Sequence, residues 1–343
     1  MAEVADDTKT ASTLQQEGAD EEIASERDFR LAEYLRGAAD SLAPLLFLIG
    51  LAAVLSVATE NFLTVQNILT ILLQISVIGI VAIGQTMVMI TAGIDLSVGS
   101  IVGLSGVTAA LGMASLGLSI PVAVLLGVAA GLLCGVINGL LVTGVKIPPF
   151  IATLGMMSIA RGAALVLTDG QSVHGIAPGF RWLGNGKVLG LPVPVLFLLG
   201  VALVMGVVLN KMTLGRHALA IGSNQETARM SGVNVSLELV KVYGISGLLA
   251  GLGGVILASR TAIGSPTAGQ MYELDAIAAC VIGGTSLFGG VGTISGAIIG
   301  AGLMGLIRNG SNLLGISAFW QQIVIGVIIC LAVAWDQYRR RHS

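Results

Sequence analysis

The run QNILTILLQISVIGIVAIGQTMVMI, residues 66–90, continues directly into the glycine-containing segment TAGIDLSVGS, residues 91–100. The first run has no charged residue and exceeds the roughly 20 residues that a helix needs to cross the hydrocarbon core of a membrane. The second run places Asp95 between Gly93 and Gly99, in a short stretch where a helix is expected to break. Together they predict a membrane-spanning helix followed by an interruption.

The composition extends this prediction to most of the chain. Of 343 residues, 55% are hydrophobic and only 10% are charged, and the mean hydropathy is +0.92. Soluble domains carry about 25% charged residues, so an ordinary water-soluble enzyme or binding domain is excluded. The 48 glycines follow no collagen-like period, and glycine within apolar runs is typical of closely packed transmembrane helices.

The chain contains about ten apolar runs of suitable length. The sequence therefore predicts an all-α integral membrane protein with about ten transmembrane helices, some of them broken or re-entrant. The predicted spans are residues 42–59, 66–90, 98–117, 120–143, 147–168, 192–209, 239–258, 274–290, 291–307 and 318–335.

Two regions are rich in glycine, Gly93–Gly99 and Gly283–Gly292, and we expect the helices to break there at membrane depth. A broken helix is tolerated in a membrane only where its freed backbone groups line a cavity or are buried in protein. These two regions are therefore the first candidates for a translocation path.

The charges divide the chain into three parts. Residues 1–40 hold eleven of the 19 acidic residues, and we expect this polar segment to be disordered. Residues 41–338 form the predicted membrane domain, and residues 339–343 form a short basic tail. Basic residues before the first span, in the loop 210–238 and after the last span place both termini in the cytoplasm, which requires an even number of spans. The loops 169–191 and 259–273 are then predicted to lie outside.

The fourth predicted span carries four glycines at a spacing of four residues, which gives one face of the helix a groove for another backbone. This face is interpreted as packing within the chain, with a dimer contact as the alternative. The glycines are Gly127, Gly131, Gly135 and Gly139.

Three acidic residues lie within or beside predicted spans, where carboxyl groups are costly and often functional. Asp95 is interpreted either as a helix cap, with a surface position also open, or as part of the path. Glu273 and Asp275 are predicted at the outer mouth of the eighth span, where capping of its N-terminus is the favoured role.

The loop GRHALAIGSNQETARMSG, residues 215–232, predicts one short helix outside the membrane. Ser223 and Glu226 have the spacing of a capping box, and Gly232 would end the helix. Such a defined loop favours a docking element over a plain connector.

The sequence lacks the residues of several catalytic sites. Its three histidines, His174, His217 and His342, are too scattered for a metal site or a catalytic triad, and no P-loop motif is present. The cysteines Cys134, Cys280 and Cys330 are interpreted as buried small residues. We therefore predict no catalytic residue, no metal and no cofactor bound by this chain.

Three motifs in the same order, and one further stretch, resemble the ribose-type sugar permeases of bacterial ABC importers. The motifs are GIDLSVG (93–99), the loop 215–232 and ELDAIAACVIGGTSLFGG (273–290), the further stretch is IPPFIATLGM (147–156), and the resemblance covers about residues 41–338. It implies a permease of the bacterial inner membrane that carries a monosaccharide or small polyol by alternating access. The implied partners are a second permease copy, cytoplasmic ATPase subunits that bind ATP and Mg, and a periplasmic sugar-binding protein.

The resemblance also assigns roles to residues. The coupling loop to the ATPase would comprise Gly215, Arg216, Ser223, Asn224, Glu226, Ala228, Arg229, Ser231 and Gly232. The candidate path residues are Asp95, Ser97, Thr153, Glu273, Asp275, Thr285 and Ser286.

Two other transporter classes stay open from the residues. A branched-chain amino acid permease would be similar in the eighth and ninth spans, but the motif 93–99 favours the sugar type. A stand-alone ion-coupled carrier could also use broken helices, but it would have no ATPase to receive the loop 215–232. A membrane-embedded enzyme would need a polar catalytic cluster, which the sequence does not show.

Overall fold

The computed structural model describes residues 43–341, without the side chains of residues 332, 335, 336 and 338–341. The predicted disordered segment 1–40 therefore lies outside the described residues, as does the end of the basic tail, residues 342–343.

The regular secondary structure of the described chain is almost entirely helical. Its helices are α1 (Ala43–Ala58), α2 (Val65–Met89), α3 (Val98–Ala114), α4 (Ile120–Thr143), α5 (Pro149–Leu167), α6 (Arg181–Asn185), α7 (Val193–Lys211), α8 (Thr213–Ser223), α9 (Gln225–Met230), α10 (Val235–Thr261), α11 (Tyr272–Ile282), α12 (Ile294–Leu313) and α13 (Ala318–Arg341). A 3-10 turn, Pro178–Phe180, precedes α6. Two two-residue strands, β1 (Lys187–Val188) and β2 (Leu191–Pro192), pair as an antiparallel hairpin before α7.

Five helices in the described range are long and apolar enough to cross a membrane: α2, α4, α5, α7 and α10. Shorter apolar helices are α1, α3 and the first part of α13. Large apolar side chains such as Leu125, Ile159 and Leu203 are exposed by 67%, 62% and 71% on the outside of the bundle. Such a surface suits lipid rather than water. The protein is therefore a multi-pass, all-α membrane protein.

Both predicted interruptions are present. Residues 90–97 separate α2 from α3, and residues 283–293 separate α11 from α12. The predicted span 274–290 is broken at the expected glycines: α11 ends at Ile282, and Gly284 has a left-handed backbone, with φ of +87°. With 11 residues, α11 is about 16 Å long, roughly half the thickness of the hydrocarbon core.

Helix α10 lies at the centre of the bundle, packed against α2, α3 and α4. The four glycines of α4 face it, and a Cβ at Gly131 would lie 2.7 Å from the Cα of Gly251. A Cβ at Gly135 would lie 3.0 Å from the Cα of Gly247. The glycine face is therefore a contact within the chain, as interpreted from the sequence, and not a free dimer surface.

Replacing Gly131 by valine should destabilise the protein, because no atom of the larger side chain fits between α4 and α10. Overpacking of this kind costs about 1–3 kcal/mol. The matched control is Gly162→Val in α5, because a Cβ there would meet no atom within 4 Å. Thermal unfolding in detergent would measure both variants, and an equal loss of stability would contradict the packing argument.

Two of the three cysteines are buried as predicted, Cys134 and Cys280. Cys330 is exposed, which corrects the prediction for this residue. It lies on α13, where apolar side chains such as Val327 and Leu331 are also exposed, so an apolar helix face of a membrane protein does not require burial in protein.

Candidate functional site

The first interruption is held by a buried cluster around Asp95, which has no exposed surface. One carboxyl oxygen of Asp95 accepts hydrogen bonds from the backbone nitrogen and the hydroxyl of Ser97, at 2.9 and 2.6 Å. The other oxygen accepts from the hydroxyl of Ser246 in α10, at 3.1 Å. Because Asp95 is fully buried, the alternative of a surface position is wrong. Its carboxyl accepts a hydrogen bond from the backbone nitrogen of Ser97, the residue directly before α3, and this bond resembles that of a helix cap.

Three further helices contact this segment through polar side chains. The Asn138 amide of α4 donates to the Ser97 hydroxyl at 2.9 Å, and the Thr153 hydroxyl of α5 donates to the Ile94 carbonyl at 3.0 Å. The Gln85 amide of α2, oriented so that its nitrogen donates, bonds both backbone groups of Asp95. Side chains thus replace the hydrogen bonds that a continuous helix would have made.

Two polar atoms beside this cluster are buried without a hydrogen-bond partner. They are the carbonyl oxygen of the Asn138 side chain and the hydroxyl of Tyr243, which lies close to Gly93. Buried polar atoms in proteins are nearly always paired. The cluster can therefore accept or donate additional hydrogen bonds to a polar ligand.

The connection from α10 to α11 is re-entrant. Gly264 packs against Ala110 near one end of α3, whereas Gly269 and Glu273 pack against Gly99 near the other end. These two positions on α3 are about 16 Å apart along the helix. The prediction that Glu273 lies at the outer mouth is wrong, because the chain descends along α3 before α11 begins.

Arg161 is a functional candidate that the sequence analysis missed. It lies within α5, and its guanidinium donates to the carbonyls of Pro266 and Ala268 in the re-entrant segment, at 2.5 and 2.9 Å. Its charge also lies near the carboxyl of Glu273. A lone arginine in an otherwise apolar span is a signal that could have identified it.

Asp275 lies apart from these residues, in an ion pair between α11 and α12. Its carboxyl contacts the guanidinium of Arg308 at 2.5 Å, and Asp275 is fully buried while Arg308 is 27% exposed. Asp275 follows the first residues of α11, but its carboxyl bonds to α12 rather than to the helix end. The favoured capping role is therefore wrong for Asp275.

The candidate residues Thr285 and Ser286 are buried in the second interruption. The Thr285 nitrogen donates to the Cys280 carbonyl, and the Ser286 nitrogen donates to the Val291 carbonyl. The hydroxyl of Thr285 lies close to Gly292 and has no hydrogen-bond partner. Backbone hydrogen bonds thus close this segment into a turn, and the Thr285 hydroxyl could still bond to a ligand.

The loop 215–232 forms two helices, α8 and α9, where the sequence predicted one. Asn224, rather than Ser223, caps α9, because its side chain accepts from the Thr227 nitrogen at 3.0 Å. Ser223 instead ends α8 and bonds back to the Leu219 carbonyl. Gly232 follows the end of α9 in a left-handed conformation, as predicted for a helix stop.

The surface of α9 is exposed and charged. Glu226 and Arg229 form an ion pair at 3.0 Å, and their side chains are 69% and 59% exposed. Ala228 is buried against Ile221 and Val235, which holds α9 to the start of α10. The remaining loop residues of the prediction, Gly215, Arg216 and Ser231, lie on α8 or at the end of α9.

A cavity of about 660 Å³ lies between this loop and the first interruption. Its lining includes Gly93, Lys146, Asn224, Arg229 and Tyr243. The cavity therefore extends from α8 and α9 to Gly93 and Tyr243, which lie beside the Asp95 cluster. In the described part of the chain, no group of three or more His, Cys, Asp or Glu side chains could hold a metal ion.

Comparison with known proteins decides the family. The family model described as "Branched-chain amino acid transport system / permease component" matches residues 67–333. The ribose import permease of Bacillus subtilis (strain 168) is 45% identical over 303 residues, which are 88% of this chain and 94% of the relative. The chain belongs to the sugar-permease family of ABC importers.

Two further sugar permeases are similar over most of their length. The D-allose transport system permease of Escherichia coli (strain K12) is 42% identical, covering 82% of this chain and 86% of the relative. The L-arabinose permease of Azospirillum brasilense is 39% identical, covering 84% and 85%. No solved structure matches the chain.

These relatives favour the sugar permeases over the branched-chain amino acid alternative, although the family model is named for the latter. Permease components of this family are transport subunits, and separate ATPases hydrolyse ATP. The chain is accordingly a membrane-embedded transport component for sugar import.

Proposed function

We propose that this chain imports a monosaccharide into the cytoplasm by alternating access, as the membrane subunit of an ABC importer. The observation that carries the proposal is the similarity, at 39–45% identity over more than four fifths of the chain, to permeases named for ribose, D-allose and L-arabinose. All three are small neutral sugars with several hydroxyl groups, so the cargo is expected in the same chemical class.

The buried polar groups support a path along the start of α3. Sugar hydroxyls both donate and accept hydrogen bonds, and the Asp95 cluster offers a carboxyl, an amide and several hydroxyls. Glu273 and Arg161 continue this polar surface along α3. We assign Ser97, Thr153, Thr285 and Ser286 to the same path, whereas Asp275 has a structural role through its pair with Arg308.

The loop 215–232 is proposed to bind the ATPase. It presents an exposed ion pair on a well-packed helix beside a polar cavity, and the sequence has no P-loop of its own. ATP and Mg would be bound by that partner. A second permease copy and a periplasmic sugar-binding protein complete the proposed importer, in the bacterial inner membrane.

The proposed topology has ten spans with both termini in the cytoplasm. The five long apolar helices and the shorter α1, α3 and α13 supply eight of its crossings. The segment 262–271 together with α11 would supply the ninth crossing, and α12 would supply the tenth.

Uptake of labelled sugars tests the function directly. Cells lacking this chain, and the same cells with it restored, would be given ribose, allose, L-arabinose, inositol and leucine. We expect restored uptake of a sugar, which is lost when ATP is depleted while the proton gradient is maintained. Uptake of leucine alone would place the chain among amino acid permeases, and sugar uptake that survives ATP depletion would contradict the ABC mechanism.

A further inference from the structure

The two interruptions, residues 90–97 and 283–293, contact each other through their backbones. The nitrogen of Gly290 donates a hydrogen bond to the carbonyl of Ile90 at 3.0 Å. Residues 90–97 lead into the Asp95 cluster, and residues 283–293 contain Thr285 and Ser286. One hydrogen bond thus joins the two segments that carry four of the candidate path residues, Asp95, Ser97, Thr285 and Ser286, although the segments are far apart in the sequence.

The end of α8 lies directly on this contact. A Cβ at Gly222 would overlap the Ile90 carbonyl oxygen and would lie 2.5 Å from the Gly290 nitrogen. From the other side, a Cβ at Gly289 would lie 2.8 Å from both the Gly222 oxygen and the Ala92 nitrogen. Backbones of α8 and of both interruptions therefore meet without a side chain between them, and we call this contact the backbone joint (Ile90, Ala92, Gly222, Gly289 and Gly290).

The backbone joint has little room for independent movement. Side chains can change rotamer to absorb a displacement, whereas backbones in direct contact must move together or separate. The same region borders the 660 Å³ cavity, whose lining includes Ala92, Gly222 and Ser223. A displacement of α8 would therefore act on both interruptions at once.

We propose that Gly222 is a positioning residue for transport, because it lets α8 pack directly on both interrupted segments and pass its movement to them. The inference rests on the proposed function, since α8 moves only if the loop 215–232 binds an ATPase. Gly222 itself touches no sugar; it acts through the segments that carry Asp95, Thr285 and Ser286.

The test uses the complete importer, with its ATPase and sugar-binding protein, in proteoliposomes. The probe is whichever of labelled ribose, allose or L-arabinose the wild-type importer takes up. In the variant Gly222→Ala, we expect the sugar transported per ATP hydrolysed to fall about tenfold or more, within the range of typical coupling energies. The control Gly206→Ala in α7 should leave the ratio unchanged, because a Cβ there would meet no atom within 4 Å.

The ratio of sugar transported to ATP hydrolysed distinguishes a loss of coupling from a loss of folded protein. A structural defect would lower uptake and ATP hydrolysis together, in proportion to the amount of folded protein, and this result would overturn the proposal. An unchanged ratio in Gly222→Ala would also overturn it, while leaving the sugar-import function intact. If wild-type importer shows no ATP-driven sugar uptake, both the proposed function and the backbone joint are rejected.

Hydrogen exchange of the wild-type importer decides the question if Gly222→Ala does not fold. The importer would be compared without nucleotide and after trapping with ATP and vanadate. We expect amide protection to change together in α8, in residues 90–97 and in residues 283–293. A change in α8 alone would overturn the proposal.

Discussion

Replacing Glu226 and Arg229 together by alanine should reduce sugar uptake to background while the permease remains folded. The two side chains form an exposed ion pair on α9. Exposed pairs contribute only about 0–1 kcal/mol to stability, so the free energy of unfolding should change little when this pair is removed. If α9 binds the ATPase, however, the variant removes two charged groups from that contact.

The measurements for this variant are uptake, co-purification of the ATPase, and thermal unfolding in detergent. The matched control is Glu60→Ala combined with Lys187→Ala, which also removes one exposed acid and one exposed base, but between α1 and α2 and in the loop 169–191, away from α9. We expect the control to transport normally. Normal uptake by the α9 variant would show that this surface does not couple the permease to ATP hydrolysis.

Replacing Arg308 by leucine should cost about 3–5 kcal/mol of stability, because it leaves the buried carboxyl of Asp275 without its partner. The double variant Asp275→Leu/Arg308→Leu should recover most of this loss, since an apolar pair of similar size is often as stable as a buried ion pair. Equilibrium denaturation in mixed micelles would give the free energies of unfolding of the variants.

The control for the ion pair is Arg181→Leu, which removes an exposed arginine at the start of α6. It should change the free energy of unfolding by no more than about 0.5 kcal/mol. If the single Arg308 variant and the double variant are equally destabilised, the two side chains do not stabilise the protein as a pair, and the link between α11 and α12 must come from backbone packing alone.

Several features followed from local sequence patterns. The apolar run 66–90 became α2, and the glycines of α4 formed a close helix contact, because each depends on the spacing of residues along one helix. Both glycine-rich interruptions were also found where predicted. The loop 215–232 lay outside the long helices, although its cap moved from Ser223 to Asn224, since either residue can accept the bond that begins a helix.

Other features depend on contacts between distant parts of the chain. Arg161 was missed because its partners, the carbonyls of Pro266 and Ala268, are backbone groups with no sequence signature. The position of Glu273 was also predicted wrongly. An irregular polar segment is normally interpreted as a surface loop, and the sequence alone does not show that a glycine-rich helix face lies beside it. The glycines of α3 supply that face here.

The sequence by itself determined that this protein is a helical membrane protein with two interrupted helices and a charged loop that resembles those of sugar permeases. Hydrophobicity and glycine spacing depend on residues that are close in the sequence, so both can be recognised without a structure. Only the tertiary structure decided that the two interruptions meet at Gly222, that the segment after α10 descends along α3, and that Asp275 pairs with Arg308. These contacts arise because backbone groups freed by a broken helix must find partners inside the protein, and the packing of the whole bundle selects those partners.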